Sequence, residues 1–379
     1  MFVIACALAL FGAMMVYSAS AMMAMRESAE GSQYTYFFKQ LIFVLIGIAA
    51  MYVLSRIDYH IFNNRWIAVL AIAVTAIALA SVFFFPPING ARRWIRFGGL
   101  SFQPSELAKI ALPLFFAWFL TKNEGSVGEL KKTLLWCIAA LGPIVGLLML
   151  QKDLGTTIVL CIAFGAVYYS AGAKYRHIGV AAGAFLVLVV GAIVVTPYRM
   201  ARVMAFLDPY KYADDEAYQV VQSLYAIGSG GITGEGFAMG QQKLFYLPYP
   251  FSDFIFSVVG EELGLIGTLA VVVAFAVLLW RGSRAALGAP DRFGMLLGIG
   301  LITGIIAQAL FNISVVISIV PAKGIPLPFI SYGGSSVVLT LAAIGILLSI
   351  SRYVKEPAKA VTAKRPTRSR VKGAAAAQR

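Results

Sequence analysis

Histidine is almost missing from this chain of 379 residues: His60 and His177 are the only two, too few for a histidine-built metal centre. The three cysteines, Cys6, Cys137 and Cys161, all lie inside apolar runs, which excludes a disulfide framework and a CxxC redox pair. Charge is scarce too. Charged residues make up 13% of the chain against 60% hydrophobic, and the mean hydropathy is +0.83. A soluble domain has too little interior to hide that much apolar surface, so the solvent of this chain is lipid. The glycine run Gly228-Ser229-Gly230-Gly231 to Gly236 has no preceding strand pattern and no closing Gly-Lys-Ser/Thr, which excludes a nucleotide phosphate loop and leaves a flexible hinge or turn. No internal repeat, direct or inverted, is visible.

What is present is apolar length. Ten segments are long enough to span a bilayer: 2–24, 37–54, 66–85, 105–121, 133–150, 154–172, 178–196, 254–280, 293–318 and 332–351. They predict an all-α polytopic integral membrane protein of about ten transmembrane helices, with one long extracytoplasmic loop between helices 7 and 8. The formal charge of +14 resembles a nucleic-acid signal until its carriers are placed. With loops 55–65, 121–133, 172–177 and 281–292 and the chain from Arg352 onward inside the cell, that side holds 19 of the 31 basic residues. Both termini are therefore expected in the cytoplasm, and nucleic acid is not an expected partner. The chain divides into a membrane domain, 1–352, whose outer loop is 197–253, and a basic tail, 353–379. The tail has no apolar face and is expected to be disordered, touching anionic lipid. Ala19-Ser20-Ala21 imitates a signal-peptidase site, but no charged region precedes it, so the first helix is expected to be retained. Because the chain starts inside that helix, a longer native leader is expected. Within the outer loop, Glu216–Ile227 reads as an amphipathic helix, apolar at Val220, Val221, Leu224 and Tyr225, lying on the membrane or on the bundle.

Charges gather where the bias says they should not. Three arginines, Arg92, Arg93 and Arg96, surround Trp94 in an outer loop, and Arg199 and Arg202 open the long one. Guanidinium forks suit phosphate oxygens, although lipid headgroups or Asp208, Asp214 and Asp215 would also satisfy them. In Gln103-Pro104-Ser105-Glu106-Leu107-Ala108-Lys109, Ser105 is the expected N-cap, and Glu106 and Lys109 fall one turn apart on one face. That pair either neutralises itself or presents a positive charge to a phosphate. Asp153, in the tight turn before segment 6, either caps that helix or points into an outer cavity. Prolines and a Gly-Gly pair break the backbone over Gly324–Ser336, which membrane depth tolerates only beside a cavity or inside protein. The long loop ends in Leu247-Pro248-Tyr249-Pro250-Phe251-Ser252-Asp253-Phe254-Ile255-Phe256. Asp253 thus stands at the bilayer edge, where a carboxylate is costly and usually functional.

These stretches, with Val16-Tyr17-Ser18-Ala19-Ser20, Lys152–Thr156 and Ser252–Gly264, resemble in order the motifs of the SEDS family, the bacterial polymerases of peptidoglycan glycan strands. Gln242–Pro248 and Gly324–Phe329 look more like its cell-division branch than its elongation branch. Two positions depart from the pattern. Where the family has Pro-Glu-x-His-Thr this chain has Pro248-Tyr249-Pro250-Phe251-Ser252, and Lys152 replaces a common proline. The resemblance implies a multi-pass enzyme of the bacterial inner membrane, at the division septum, that polymerises lipid II. The undecaprenyl-diphosphate-linked glycan would be the donor and the GlcNAc 4-hydroxyl of lipid II the acceptor. Its implied partners are a class B penicillin-binding protein and other divisome proteins.

Such a transfer needs a base on the hydroxyl and neutralisation of the departing diphosphate. The resemblance makes Asp253 the base, against the plain alternative of an N-cap for segment 8. Arg93 and Lys109 lead the expected diphosphate ligands, followed by Arg92, Arg199 and Arg202. Glu106, Asp153 and Ser331 complete the expected binding set. A divalent cation (Mg or Mn) on Asp153 or Glu106 could do the same neutralising work. Glu261 and Glu262 are expected to be structural partners within the bundle. Broken helices and intramembrane charges also mark transporters, so a flippase of lipid II or another lipid-linked sugar is the alternative, and a non-catalytic division scaffold the third.

Overall fold

The computed structural model describes residues 1–27, 32–88, 90–97, 100–244 and 246–354. The tail from Lys355, Asn89 of the arginine stretch and Phe245 of the outer loop lie outside the described residues. Seven helices come first: α1 (Phe2–Glu27), α2 (Thr35–Arg56), α3 (Arg65–Ser81), α4 (Pro104–Lys122), α5 (Leu135–Leu150), α6 (Leu154–Ser170) and α7 (Tyr175–Val194). Two short helices follow in the long loop, α8 (Pro197–Leu207) and α9 (Tyr218–Ser229). Then come α10 (Ile255–Leu287), α11 (Arg292–Val316) and α12 (Gly334–Arg352). A small hairpin, β1 (Ile95–Phe97) with β2 (Leu100–Phe102), pairs Ile95 with Phe102.

All ten expected segments are helical, and eight are long and apolar enough to cross a membrane. The other two differ for separate reasons. Apolar α6 has only 17 residues. In α4, Glu106 and Lys109 occupy positions that lipid contact would have made apolar, and both are turned inward. Burial separates centre from rim: 72% of the span window is buried in α11 and α12, against 6% in α7. Thus α7 spends nearly its whole surface on lipid, whereas α11 fills the space between α4, α6 and α10.

Contacts sort the connections into two ends. At one, Arg292 donates to Glu124 and to Ala171 O, and Tyr59 to Asp291, tying together the loops expected inside the cell. At the other, the end expected to face outward, Arg93 donates to Gln151 O and Lys152 O, Arg202 to Ala322 O, and Tyr332 N to Phe251 O. The stretches singled out as motifs meet there, that of α1 included, whose Ser18 donates to Glu262.

Two local expectations need correction. Ser105 is not the N-cap of α4. Gln103 occupies that position, because Pro104, lacking an N–H and fixed in φ, suits the first helical residue. The Ser105 hydroxyl is buried without a partner. Of its two readings, hinge or turn, the glycine run takes the turn. Helix α10 breaks at Gly264, whose φ of 63° is open to glycine at little cost, and the run is wedged into the break. Glu235 N and Gly236 N donate to Glu261 O and Glu262 O at 2.9 and 3.0 Å, while Leu265 N donates to Gly231 O at 2.9 Å. A Cβ on Gly230 would collide with Gly260 O, so glycine here permits close approach rather than motion. The amphipathic α9 forms two residues later than expected and packs on the bundle, Ser223 Oγ donating to Val316 O at 2.9 Å. Tyr225, expected on its apolar face, points outward, and Ala226 is buried instead.

Candidate active site

A cavity of about 260 Å³ opens at the outer end, among α6, α7, α8 and the connection between α11 and α12. Its polar lining is Arg93, Lys152, Asp153, Arg199, Arg202 and Lys323. Asp253 stands at its edge: a Cβ on Gly324 would come within 2.6 Å of Asp253 Oδ2, so only glycine leaves the carboxylate room. A wholly apolar groove of about 420 Å³ lies elsewhere, between α1 and α10, and carries no group capable of chemistry.

Several elements converge to hold Asp253. Asn312 of α11 donates through Nδ2 to Asp253 O and Ile325 O, both at 2.7 Å, which clamps the two motif loops together. Ser331 Oγ donates to Ser252 O at 2.6 Å and accepts from Leu327 N at 2.8 Å. Gln40 of α2 reaches across to Ser331 O and Gly333 N, and the rings of Tyr36, Phe251 and Tyr332 pack together, Tyr332 edge-on to the other two. The Asp253 carboxylate itself accepts from the Ser252 hydroxyl at 3.3 Å. It does not cap α10. Phe254 holds that position without a side-chain bond, so the plain reading of Asp253 fails. Burial pushes its carboxyl up to about 6, against the Ser252 hydrogen bond and the charge of Arg93, with Asp153 adding to the rise and Arg202 opposing it.

Of the expected binding set, Arg93, Asp153, Arg199 and Arg202 meet in the cavity. Asp153 fulfils both of its readings: Oδ1 caps α6 by accepting from Thr156 N at 3.2 Å, while Oδ2 is buried without a partner. The others lie apart. Arg92 is exposed and donates to Phe83 O at 2.8 Å. Lys109 donates to Glu106 Oε1 and Gln308 Oε1, both at 2.6 Å, in a separate hollow behind the broken motif. Gln308 in turn donates to Pro326 O at 2.8 Å, so this triad props the motif loop from beneath. Ser331 is buried, its hydroxyl spent on the backbone.

Two lysines were not foreseen. Lys323 lines the cavity, and Lys243 pairs with Glu262 at 2.7 Å. The signal for both was available, since each is a basic residue on the side the charge bias leaves poor in them. Among the described residues no three His, Cys, Asp or Glu side chains gather as a metal site. Asp153 and Asp253 are the acidic groups at the cavity, and the unpartnered Asp153 Oδ2 suits a hard divalent cation. Such an ion would add positive charge beside a diphosphate. Glu106 is already committed to Lys109.

Residues 1–356 match the FtsW/RodA/SpoVE family of cell cycle proteins. The probable peptidoglycan glycosyltransferase FtsW of Geobacter metallireducens is 40% identical over 356 residues, 93% of either chain. Stage V sporulation protein E of Bacillus subtilis is 38% identical over 353 residues, 90% of this chain and 93% of that one. Among solved structures, a chain from work on the structural coordination of polymerization and crosslinking by a peptidoglycan synthase complex aligns with TM-score 0.73 and 28% identity, covering 91% of this chain and 97% of that one. The rod shape determining protein RodA of Thermus thermophilus aligns at 0.67 and 25%, over 94% and 96%. A multi-pass helical bundle with this motif order, matched along its membrane-spanning length, belongs to the FtsW/RodA/SpoVE family, the SEDS proteins.

Proposed function

We propose that this chain is a peptidoglycan glycosyltransferase that polymerises lipid II at the outer surface of the bacterial inner membrane, in septal cell-wall synthesis. The observation that carries the reading is the carboxylate of Asp253, on a loop braced by Asn312 of α11 and, through Ser331, by Gln40 of α2, at the edge of a cavity rich in Arg and Lys. Asp253 takes the proton of the GlcNAc 4-hydroxyl on lipid II. The oxygen attacks the anomeric carbon of the growing strand, and the bond from that carbon to the diphosphate breaks. Its electron pair leaves on undecaprenyl diphosphate, and the configuration at the carbon inverts. A carboxylate near 6 suits this task, since it is ionised at neutral pH yet basic enough to accept a proton.

The partner reading is a class B penicillin-binding protein, acting with other divisome proteins. It is supported by similarity to a chain of a peptidoglycan synthase complex. Both termini are placed in the cytoplasm, from the charge bias. The decisive experiment is incubation of the purified protein with lipid II in detergent, with and without that partner. Glycan polymer, increased by the partner, is the expected result. Lipid II translocation in vesicles without polymer would replace this reading by the flippase.

A further inference from the structure

The cations around the cavity differ in how far their donors are already used. Arg93 gives Nε and Nη2 to Gln151 O and Lys152 O, at 3.1 and 2.6 Å. Arg199 donates to Ala192 O at 3.1 Å and to Met149 O at 3.5 Å. Arg202 donates to Ala322 O at 3.0 Å and lies over the Tyr198 ring. Lys152 reaches Gly90 O at 3.4 Å. These four groups tie α8, the 90–97 stretch and the α5–α6 turn to the cavity wall. Lys323 is the exception. It lies partly buried in the same lining, and among the described residues its ammonium has no hydrogen bond and no ion pair. Its ammonium faces the cavity with no acceptor from the described residues, so an anion that enters the cavity can supply one.

We infer that Lys323 is a binding residue for the departing diphosphate, an inference that rests on the glycosyl-transfer reading of the cavity. The arginines hold the wall, and Lys323 brings three unspent donors to it. Its place in the chain fits. Gly324, the next residue, abuts Asp253 Oδ2, so the broken motif carries the leaving-group ligand beside the base. As the bond from the anomeric carbon breaks, its electron pair moves onto a diphosphate oxygen. A charge-assisted bond from Lys323 to that oxygen strengthens as the charge develops.

The surroundings also set a pH signature. Burial, then the charges of Arg199 and Arg202, lowers Lys323 to about 8, with Arg93 acting the same way and Asp153 opposing. Lys152 and Asp253 are the remaining charged groups at this cavity. Lys323 is therefore charged below about 8 and loses its proton above it, whereas an arginine would stay charged throughout.

The test uses the full-length protein with its penicillin-binding partner, comparing wild type, Lys323→Arg and Lys323→Met between pH 6.5 and 9. Wild-type kcat/KM is expected to fall above about pH 8, and Lys323→Arg to stay active without that fall. Lys323→Met should lose about 10²-fold in kcat, the usual scale for one charge-stabilising donor. Inorganic pyrophosphate, as a competing anion, should inhibit wild-type polymerisation, and bind Lys323→Met about tenfold more weakly than wild type by calorimetry. Lys323→Met should fold normally, since it removes an unpaired charge, and its elution and unfolding midpoint check this. Wild-type rate and pyrophosphate affinity in Lys323→Met would overturn the assignment, as would a high-pH fall that persists in Lys323→Arg. If wild type makes no polymer at all, the transferase reading fails, while the pyrophosphate comparison still decides Lys323.

Discussion

Two charge clusters flank the start of α10 at the same end of the molecule, and they are built to opposite rules. In the first, Glu262 is fully buried and its oxygens accept from Lys243 Nζ at 2.7 Å, Ser18 Oγ at 2.5 Å and Ala238 N at 3.0 Å. Its neighbour Glu261 accepts from Gln241 N and Gln242 N. The second is the cavity, where, among the described residues, Asp153 Oδ2 and the Lys323 ammonium have no partner and the Asp253 carboxylate has only Ser252. The accounting of donors and acceptors distinguishes these clusters: the first set, closed but for the buried Glu261 Oε2, holds the long loop on the bundle, and the open set awaits a ligand.

The largest expected effect tests the open cluster. Asp253→Asn keeps the size of the side chain but cannot accept a proton. Polymer formation should fall about 10²- to 10⁴-fold, the range for losing a general base, with the unfolding midpoint unchanged. Near wild-type synthesis would sink the assignment of the base.

Lys243→Met breaks the closed cluster and should do the reverse, reducing stability before chemistry. It leaves the buried Glu262 carboxylate without its cation, which costs about 3–5 kcal/mol. Thermal unfolding in detergent should show the loss, and adding Glu262→Gln in the same chain should recover much of it. A Lys243→Met protein as stable as wild type would remove the distinction between the two clusters.

The ten helical segments were legible as apolar runs, eight of them long and apolar enough to cross a membrane, because apolar length identifies a membrane helix whatever its neighbours do. The position of Asp253 and the gathering of motifs at one end were legible too, from the alternation of spans and the order of charged stretches. The wedge of the glycine run into α10 was not, because Gly231 bonds a residue more than thirty positions away and no local pattern encodes such pairing. Helix α8 was missed since Arg199 and Arg202 interrupt an eleven-residue run that reads as loop. Lys109 was expected with the diphosphate ligands, yet spacing within α4 cannot reveal that Gln308 waits on α11. Lys323, in Pro321-Ala322-Lys323-Gly324, was announced only by the charge bias: a single charge in a turn carries no spacing that ties it to the cavity.

A smaller effect concerns pH. Asp253 must be ionised to act, and burial raises it to about 6, so activity should fall as pH drops through that value. Lys323 must be protonated, and its lowered value of about 8 sets the upper fall. Wild-type kcat/KM should therefore follow a bell with its plateau between about 6 and 8. A profile flat down to pH 4.5 would mean that Asp253 is not the titrating base.

The smallest effect separates holding from binding. If Ser331 touched substrate, its loss would raise KM for lipid II. Its hydroxyl instead joins Ser252 O to Leu327 N, one residue from Asp253, with Gln40 bonded to the Ser331 carbonyl behind it. Ser331→Ala leaves that amide and carbonyl buried without a partner, at about 1–3 kcal/mol, and loosens the loop that carries the base. The expected result is a severalfold lower kcat at unchanged KM, with a modestly lower unfolding midpoint. Ser331→Thr, which keeps the hydroxyl, should restore most of the rate. A raised KM with kcat preserved would instead move Ser331 from the wall of the site into the site itself, and would mean that the open cluster extends beyond the cavity.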